Sequence, residues 1–115
     1  MNHKDLEVWK KGMDLVVGVY DWTKSFPNEE KYGLTAQMRR ASVSIPSNIA
    51  EGSARAGDRE LHQYVNIAIG SISELETQYL IAIRLKMATE NEQLAKLLMD
   101  VKKLLIGYRN YIRNK

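Results

Sequence analysis

Apolar residues recur at alternating steps of four and three between Leu61 and Ala82. They are Leu61, Val65, Ala68, Ile72, Leu75, Tyr79 and Ala82. This heptad-like spacing is typical of an amphipathic helix that buries one face against other helices. The chain's two prolines, Pro27 and Pro46, lie outside this stretch, and no segment shows the sustained alternation of a half-buried strand. The pattern therefore predicts an all-α fold.

Two helices are predicted before this stretch. The first runs from about Leu6 to Lys24, with Asp5 as its N-cap, and ends before Pro27. Its core-facing stripe is expected to be Leu6, Trp9, Met13, Val16 and Tyr20. The second helix begins at Leu34 or Thr35 and reaches about Gly52. Its stripe is expected to be Leu34, Met38, Ala41, Ile45 and Ile49.

Pro46 lies inside the second predicted helix. It has no backbone N–H to donate to the carbonyl of Ser42, so we expect a kink that is compensated there by a hydroxyl group or water. The alternative is a break between two helices at Pro46.

The third helix is predicted from Asp58 to Ala88 and the fourth from Thr89, an N-cap with Glu92 in a capping box. The apolar residues of the fourth helix are Leu94, Leu97, Leu98, Val101, Leu104, Leu105, Tyr108 and Ile112. Short loops between long amphipathic helices favour antiparallel neighbours. We therefore predict one domain over residues 1–115, an antiparallel up-and-down four-helix bundle whose second helix is kinked at Pro46.

The first and third helices carry more apolar residues than one stripe each requires. The surplus residues are Val8, Val17, Val19, Trp22, Ile67, Ile69, Leu80, Ile81 and Ile83. Because a bundle buries about one stripe per helix, these residues indicate homo-oligomerisation. The alternative is a slightly wider core with a few tolerated surface residues.

Residue types exclude several enzyme classes. The chain has no cysteine, which excludes disulfides, thiolate nucleophiles, zinc ribbons and iron–sulfur clusters. Its histidines, His3 and His62, are not in the Glu-x-x-His pairs of metal-binding bundles, and His62 is expected to be a surface residue. The glycine-rich loop before Asp58 lacks the Lys-Ser/Thr pair of a phosphate-binding loop. We therefore predict a protein with no catalytic activity, cofactor or metal site.

The N-terminus shows no signal-peptide pattern, and no apolar run approaches the roughly 20 residues that span a bilayer. We expect a cytoplasmic protein without membrane contact.

Positive charge is concentrated near the C-terminus. The whole chain has a net charge of +3, whereas residues 94–115 contain six basic residues and one acidic residue. The candidate nucleic-acid-binding residues are Arg55, Arg59, Lys102, Lys103, Arg109, Arg113 and Lys115. This distribution suggests an anionic partner, with a phosphate held near the start of the third helix. The alternative is a solvated face whose lysines suit a helix C-terminus.

A polar stripe follows one face of the second helix. It contains Gln37, Arg40, Ser44, Asn48 and Glu51 at steps of three and four. The stripe is either solvated or a hydrogen-bonded seam against a neighbouring helix or subunit. Glu51 is expected to pair with Arg40 or Arg55.

Several segments together resemble the four-helix-bundle proteins encoded in intervening sequences of bacterial 23S ribosomal RNA genes. That family is related to the accessory variability determinant of diversity-generating retroelements. The most specific segment runs from Gln37 to Gly52, including Pro46. The others are Leu6–Trp9, Tyr20, Phe26-Pro27, Tyr32–Leu34, Arg55, Ala68, Gly70-Ser71 and Glu74–Glu76, so the likeness covers about residues 6–85. Gly57 departs from the Ser or Thr usual at that N-cap.

The resemblance implies a ring-like homopentamer with a positively charged surface, whose relatives bind nucleic acid and a reverse transcriptase. Two hypotheses follow. The leading one is a non-enzymatic homo-oligomer that binds RNA or DNA largely independently of sequence. The other is a protein-interaction scaffold, for example for a reverse transcriptase or ribonucleoprotein partner, with incidental nucleic-acid binding.

Overall fold

The computed structural model describes residues 2–115, and four α-helices lie within this range. They are α1 (Glu7–Thr23), α2 (Leu34–Ser53), α3 (Asp58–Arg84) and α4 (Glu92–Arg113). Each helix packs against the next, and α4 also packs against α1, so the helices form a closed antiparallel bundle of 44 × 24 × 20 Å. Short 3₁₀ turns at His3–Asp5 and Asn28–Glu30 precede α1 and α2. The predicted four-helix bundle is confirmed.

Three of the four predicted apolar stripes form the core. On α3 every residue of the stripe is buried except Leu61, which is half-buried at the start of the helix. On α2 the stripe from Met38 to Ile49 is buried, and on α4 the buried residues are Leu94, Leu98, Val101, Leu105 and Ile112. These stripes face a common axis because each recurs with the period of the helix that carries it.

The predicted stripe of α1 was wrong. Met13 and Tyr20 are 42% and 40% exposed, whereas the helix buries Val8, Leu15, Val19 and Trp22. Helix α1 carries two apolar stripes on different faces, and only one can face the other three helices. The stripe of Leu15 and Val19 does so, which places Tyr20 at the outer edge between α1 and α2. Most of the apolar surplus assigned to α1 therefore belongs to the core.

The N-cap predicted for α1 was also wrong. Leu6 occupies the N-cap position and has no capping side chain, whereas Asp5 ends the preceding 3₁₀ turn. That turn is capped by Asn2, whose side chain accepts a hydrogen bond from the N–H of Lys4 at 3.0 Å. The short turn therefore includes the residue that was expected to be the N-cap.

Helix α3 ends at Arg84, four residues before the predicted boundary. Lys86 follows in the left-handed region with φ of 59°, which reverses the chain. The N-cap of α4 is Asn91 instead of Thr89, since Asn91 Oδ1 accepts the N–H of Leu94 at 3.0 Å. The carbonyl of Thr89 is held by the indole N–H of Trp22 at 3.1 Å. Contacts from distant core aromatics thus determine this loop.

Helix α2 continues through Pro46, so the alternative of a break there was wrong. The ring of Pro46 is buried against α1 at Gly12, where a Cβ would lie 3.7 Å from the ring carbons. The hydroxyl of Ser42 donates to the carbonyl of Arg39 at 2.8 Å. The Ser42 hydroxyl is therefore engaged with the preceding turn, and compensation of the Ser42 carbonyl by another hydroxyl or by water stays a prediction. The kink at Pro46 stays a prediction.

Candidate nucleic-acid interface

Two of the predicted basic residues meet where α3 begins and α4 ends. Arg59 and Arg113 line one cavity of about 380 Å³. The other lining residues are Asp58, His62, Gln63 and Ile112. Antiparallel packing brings these residues together, because the N-terminus of α3 and the C-terminus of α4 lie at the same end of the bundle. Arg59, predicted beside the start of α3, therefore lies close to one of the predicted C-terminal basic residues, Arg113.

These two guanidinium groups have no acidic partner within 4.0 Å in residues 2–115. Arg113 donates instead to the side-chain oxygen of Asn110 at 2.8 Å. In an exposed guanidinium without a carboxylate partner, no nearby negative charge offsets the positive potential, and the planar set of N–H donors can bind an incoming anion. The first turn of α3 also contains Asp58 and Glu60, which reduce the local positive potential.

Other predicted basic residues are engaged within the bundle. Lys102 forms a half-buried ion pair with Glu76 of α3 at 3.2 Å. Lys115 pairs with Asp58 at 3.5 Å. Arg55 donates to the hydroxyl of Tyr64 at 2.7 Å. Ion pairs of this kind reduce the charge that a distant phosphate experiences.

Lys103 and Arg109 complete the predicted set. Lys103 is exposed on α4, and Arg109 is half-buried with its Nε atom enclosed and without a hydrogen-bond partner in residues 2–115. Among the predicted basic residues, Arg59, Lys103, Arg109 and Arg113 have no acidic partner within 4.0 Å in residues 2–115.

His62 lies at the surface as predicted, but it is half-buried there and lines the same cavity. Its Nδ1 atom lies 3.4 Å from Asn66, and its Nε2 atom is enclosed without a hydrogen-bond partner in the described chain. Its position on the first turns of α3 gave no sequence signal of this enclosure, which depends on the end of α4.

The polar stripe of α2 joins α2 to α3. The hydroxyls of Ser44 and Ser71 are 2.9 Å apart, and the side-chain amide of Asn48 donates to the carbonyl of Ser44 at 2.7 Å. Glu51 lies 4.0 Å from Arg55, the second of its two predicted partners. At Ser44 the stripe therefore follows the second of its two alternatives, a hydrogen bond to a neighbouring helix, whereas the bond of Asn48 stays within α2.

The remaining part of the stripe faces outward. Gln37 and Arg40 line a polar groove of about 350 Å³ with Glu74 of α3, and the Ser44–Ser71 pair lies along the same groove. Arg40 and Glu74 are exposed and are not within 4.0 Å of each other.

Arg39, directly before Arg40, was not predicted to have a structural role, but it contacts α1. Its Nε atom donates to the hydroxyl of Thr23 at 3.0 Å, and its guanidinium lies 4.6 Å from the ring centroid of Tyr20. It therefore attaches α2 to the C-terminal turns of α1. The available sequence signal was its position about 100° from Arg40 on the helix.

Two ionisable groups on α4 have shifted pKa values. Partial burial raises the pKa of Tyr108, which lies beside Ser53 at the end of the bundle. A hydrogen bond from Lys96, one turn earlier on the same helix, lowers the pKa of Asp100. Neither group lines the cavity of Arg59 and Arg113.

None of the helices in residues 2–115 combines the length and hydropathy of a membrane span. Comparison with protein families finds a match over residues 4–107 to the model of the 23S rRNA-intervening sequence protein. The chain belongs to this family. No curated protein matches the chain.

A solved structure supports the fold of this family member. It is the crystal structure of a protein of unknown function from the S23 ribosomal protein family of Bacteroides thetaiotaomicron. The two share 25% sequence identity with a TM-score of 0.80, over 96% of this chain and 99% of the other. In this intervening-sequence protein, the most specific segment of the resemblance, residues 37–52, is almost the whole of α2.

Proposed function

We propose that this intervening-sequence protein is a non-enzymatic, ring-like homopentamer that binds nucleic acid with little dependence on sequence. The observation that carries the proposal is the cavity that Arg59 and Arg113 share, in which neither guanidinium has an acidic partner within 4.0 Å among residues 2–115. Phosphate oxygens are suitable partners for such groups, and contacts to phosphate carry little sequence information.

Assembly would strengthen this binding. Val17, Leu80 and Met99 are each more than half exposed, which supports contacts between copies of the chain. Each copy would contribute the same cavity to the assembly. Several weak phosphate contacts on one strand then act together through a high effective concentration.

Replacing both arginines, as Arg59→Gln with Arg113→Gln, is expected to weaken binding to unrelated duplexes and RNAs to a similar extent. The slope of log affinity against log salt should become shallower by roughly 1 for each phosphate that the variant no longer neutralises. Gel-shift titrations at several salt concentrations measure both effects.

The matched control is Lys24→Gln with Lys31→Gln, which removes the same charge at the opposite end of the bundle. It should lower affinity less than the arginine variant does. Equal losses of affinity for the two variants would contradict the assignment of the cavity. Absence of any shift for the unaltered protein at low salt would contradict nucleic-acid binding itself.

A second candidate is a protein-interaction scaffold, for a reverse transcriptase or another ribonucleoprotein partner. The exposed Leu80 and Met99 favour it, because each lies about one turn from the Lys102–Glu76 ion pair on the same face of α3 and α4. A scaffold of this kind predicts partner binding that changes little with moderate salt, without measurable affinity for nucleic acid.

A further inference from the structure

The edge of the bundle between α2 and α3 combines exposed apolar residues with two opposite charges. On α3, Ile67 and Ile81 are 52% and 41% exposed, and Gly70 and Glu74 lie between them on the same face. On α2, Arg40 shares the polar groove with Glu74. We call Ile67, Gly70, Glu74, Ile81 and Arg40 the α2–α3 seam.

Within the described part of one chain, the charged residues of the seam lack ion-pair partners and its glycine lacks a packing partner. Arg40 and Glu74 have no ion-pair partner within 4.0 Å in residues 2–115. A Cβ on Gly70 would meet no atom within 4 Å, so nothing inside the bundle requires glycine there. Glycine weakens a helix relative to alanine, but it lets another backbone approach closely.

The chemistry of the seam favours a protein occupant over a nucleic acid. Exposed isoleucines gain from burial against apolar side chains, whereas Glu74 repels phosphate groups. The matching surface is a helix that carries apolar residues together with one cation and one anion.

The outer face of α1 has this composition. Val17 and Met13 are 65% and 42% exposed, and Lys10 and Asp14 are exposed on the same side of the helix. Neither Lys10 nor Asp14 has an ion-pair partner within 4.0 Å in the described part of the chain. We call these four residues the α1 outer face.

We infer that the α1 outer face of a second copy binds in the α2–α3 seam. Val17 then packs near Gly70, Asp14 pairs with Arg40, and Lys10 pairs with Glu74 of the neighbouring copy. This inference rests on the proposed homo-oligomer and names its contact. Because the two surfaces differ, the contact is heterologous and repeats around a closed ring.

Blocking each surface separately tests the contact. Gly70→Arg fills the seam, and Val17→Arg places a charge on the α1 outer face. Light scattering should give a mass near 13.2 kDa for each variant alone. On mixing, the intact seam of one variant can bind the intact α1 of the other, so a complex of about twice that mass is expected.

Gly107→Arg is the matched control, because Gly107 is an equally open helical glycine that lies one turn from Lys103 on α4. It should assemble like the unaltered protein. Circular dichroism establishes that each variant is folded, and Arg40→Glu replaces Gly70→Arg if helicity is lost.

The outcomes separate two failures. An unaltered protein of 13.2 kDa would contradict the proposed homo-oligomer itself. An assembled unaltered protein whose blocked variants also assemble would overturn only the seam. The same conclusion follows if the blocked variants are monomers that form no complex on mixing, or if Gly107→Arg also disassembles.

Discussion

Gly52 shows how one residue controls the approach of two helices. A Cβ at this position would lie 2.8 Å from Cβ of Tyr64 and 2.9 Å from Cδ1 of Leu61. Both atoms belong to α3, and the Cβ of Tyr64 can move only with its backbone. The absence of a side chain at Gly52 therefore lets the last turn of α2 pack directly against the first turns of α3.

We predict that Gly52→Ala lowers the free energy of unfolding by about 1–3 kcal/mol, since the added methyl group overpacks this contact. Urea denaturation measures the change. Gly107→Ala is the control, because a Cβ there meets nothing within 4 Å. The control should raise the free energy of unfolding by about 0.5–1 kcal/mol through helix propensity. A stabilising effect at both positions would contradict the close contact.

The loop between α3 and α4 is the element whose details depend most on distant residues. The hydroxyl of Tyr79 accepts the N–H of Asn91 at 2.9 Å and lies 3.3 Å from the carbonyl of the same residue. Trp22 holds the carbonyl of Thr89 from α1. These contacts determine where α4 begins, and they place Asn91 at its N-cap position.

We predict that Asn91→Ala lowers the free energy of unfolding by about 1 kcal/mol, because the N–H of Leu94 loses its side-chain acceptor. Thr89→Ala should change it by less than about 0.5 kcal/mol, since Thr89 is exposed and contributes its backbone carbonyl. Thermal or urea denaturation of both variants measures the difference. A larger destabilisation by Thr89→Ala would mean that Thr89 is the cap after all.

Exposed apolar residues lie on several helices, so the proposed assembly involves the whole molecule and not one helix. If the native state is an oligomer, its stability includes the free energy of association and depends on protein concentration. Contacts between copies would add to a single-chain core that is already closed by the packing of α4 against α1.

We predict that the Tm of the unaltered protein rises as its concentration increases from about 1 to 100 μM, because dilution favours dissociated and unfolded chains. Gly70→Arg should show a Tm that is independent of concentration. Differential scanning calorimetry or fluorimetry over this range measures both. A constant Tm for the unaltered protein at dilutions that dissociate it would argue against this coupling.

The sequence was sufficient to predict the four-helix bundle and most of the residues that form its core. On α3, one stripe continues from Leu61 to Ala82, and its spacing requires a helix that buries that face. Local periodicity carries this information because burial of a stripe depends on the helix's own geometry. On α1 periodicity could not choose between two stripes, since the choice depends on the positions of the other three helices.

Only the tertiary structure decided which polar side chains are engaged within the bundle and which remain available to bind a partner. Lys102 and Lys103 are neighbours, yet Lys102 meets Glu76 on another helix while Lys103 is exposed. Residues distant in the sequence also decide the surroundings of two other residues. Ser44 forms a hydrogen bond with Ser71, and Arg59 lines a cavity with the end of α4. The partners in the Lys102–Glu76 and Ser44–Ser71 pairs lie 26 and 27 residues apart in the sequence. Such pairs depend on the register between two helices, and the residue spacing within one helix does not predict that register.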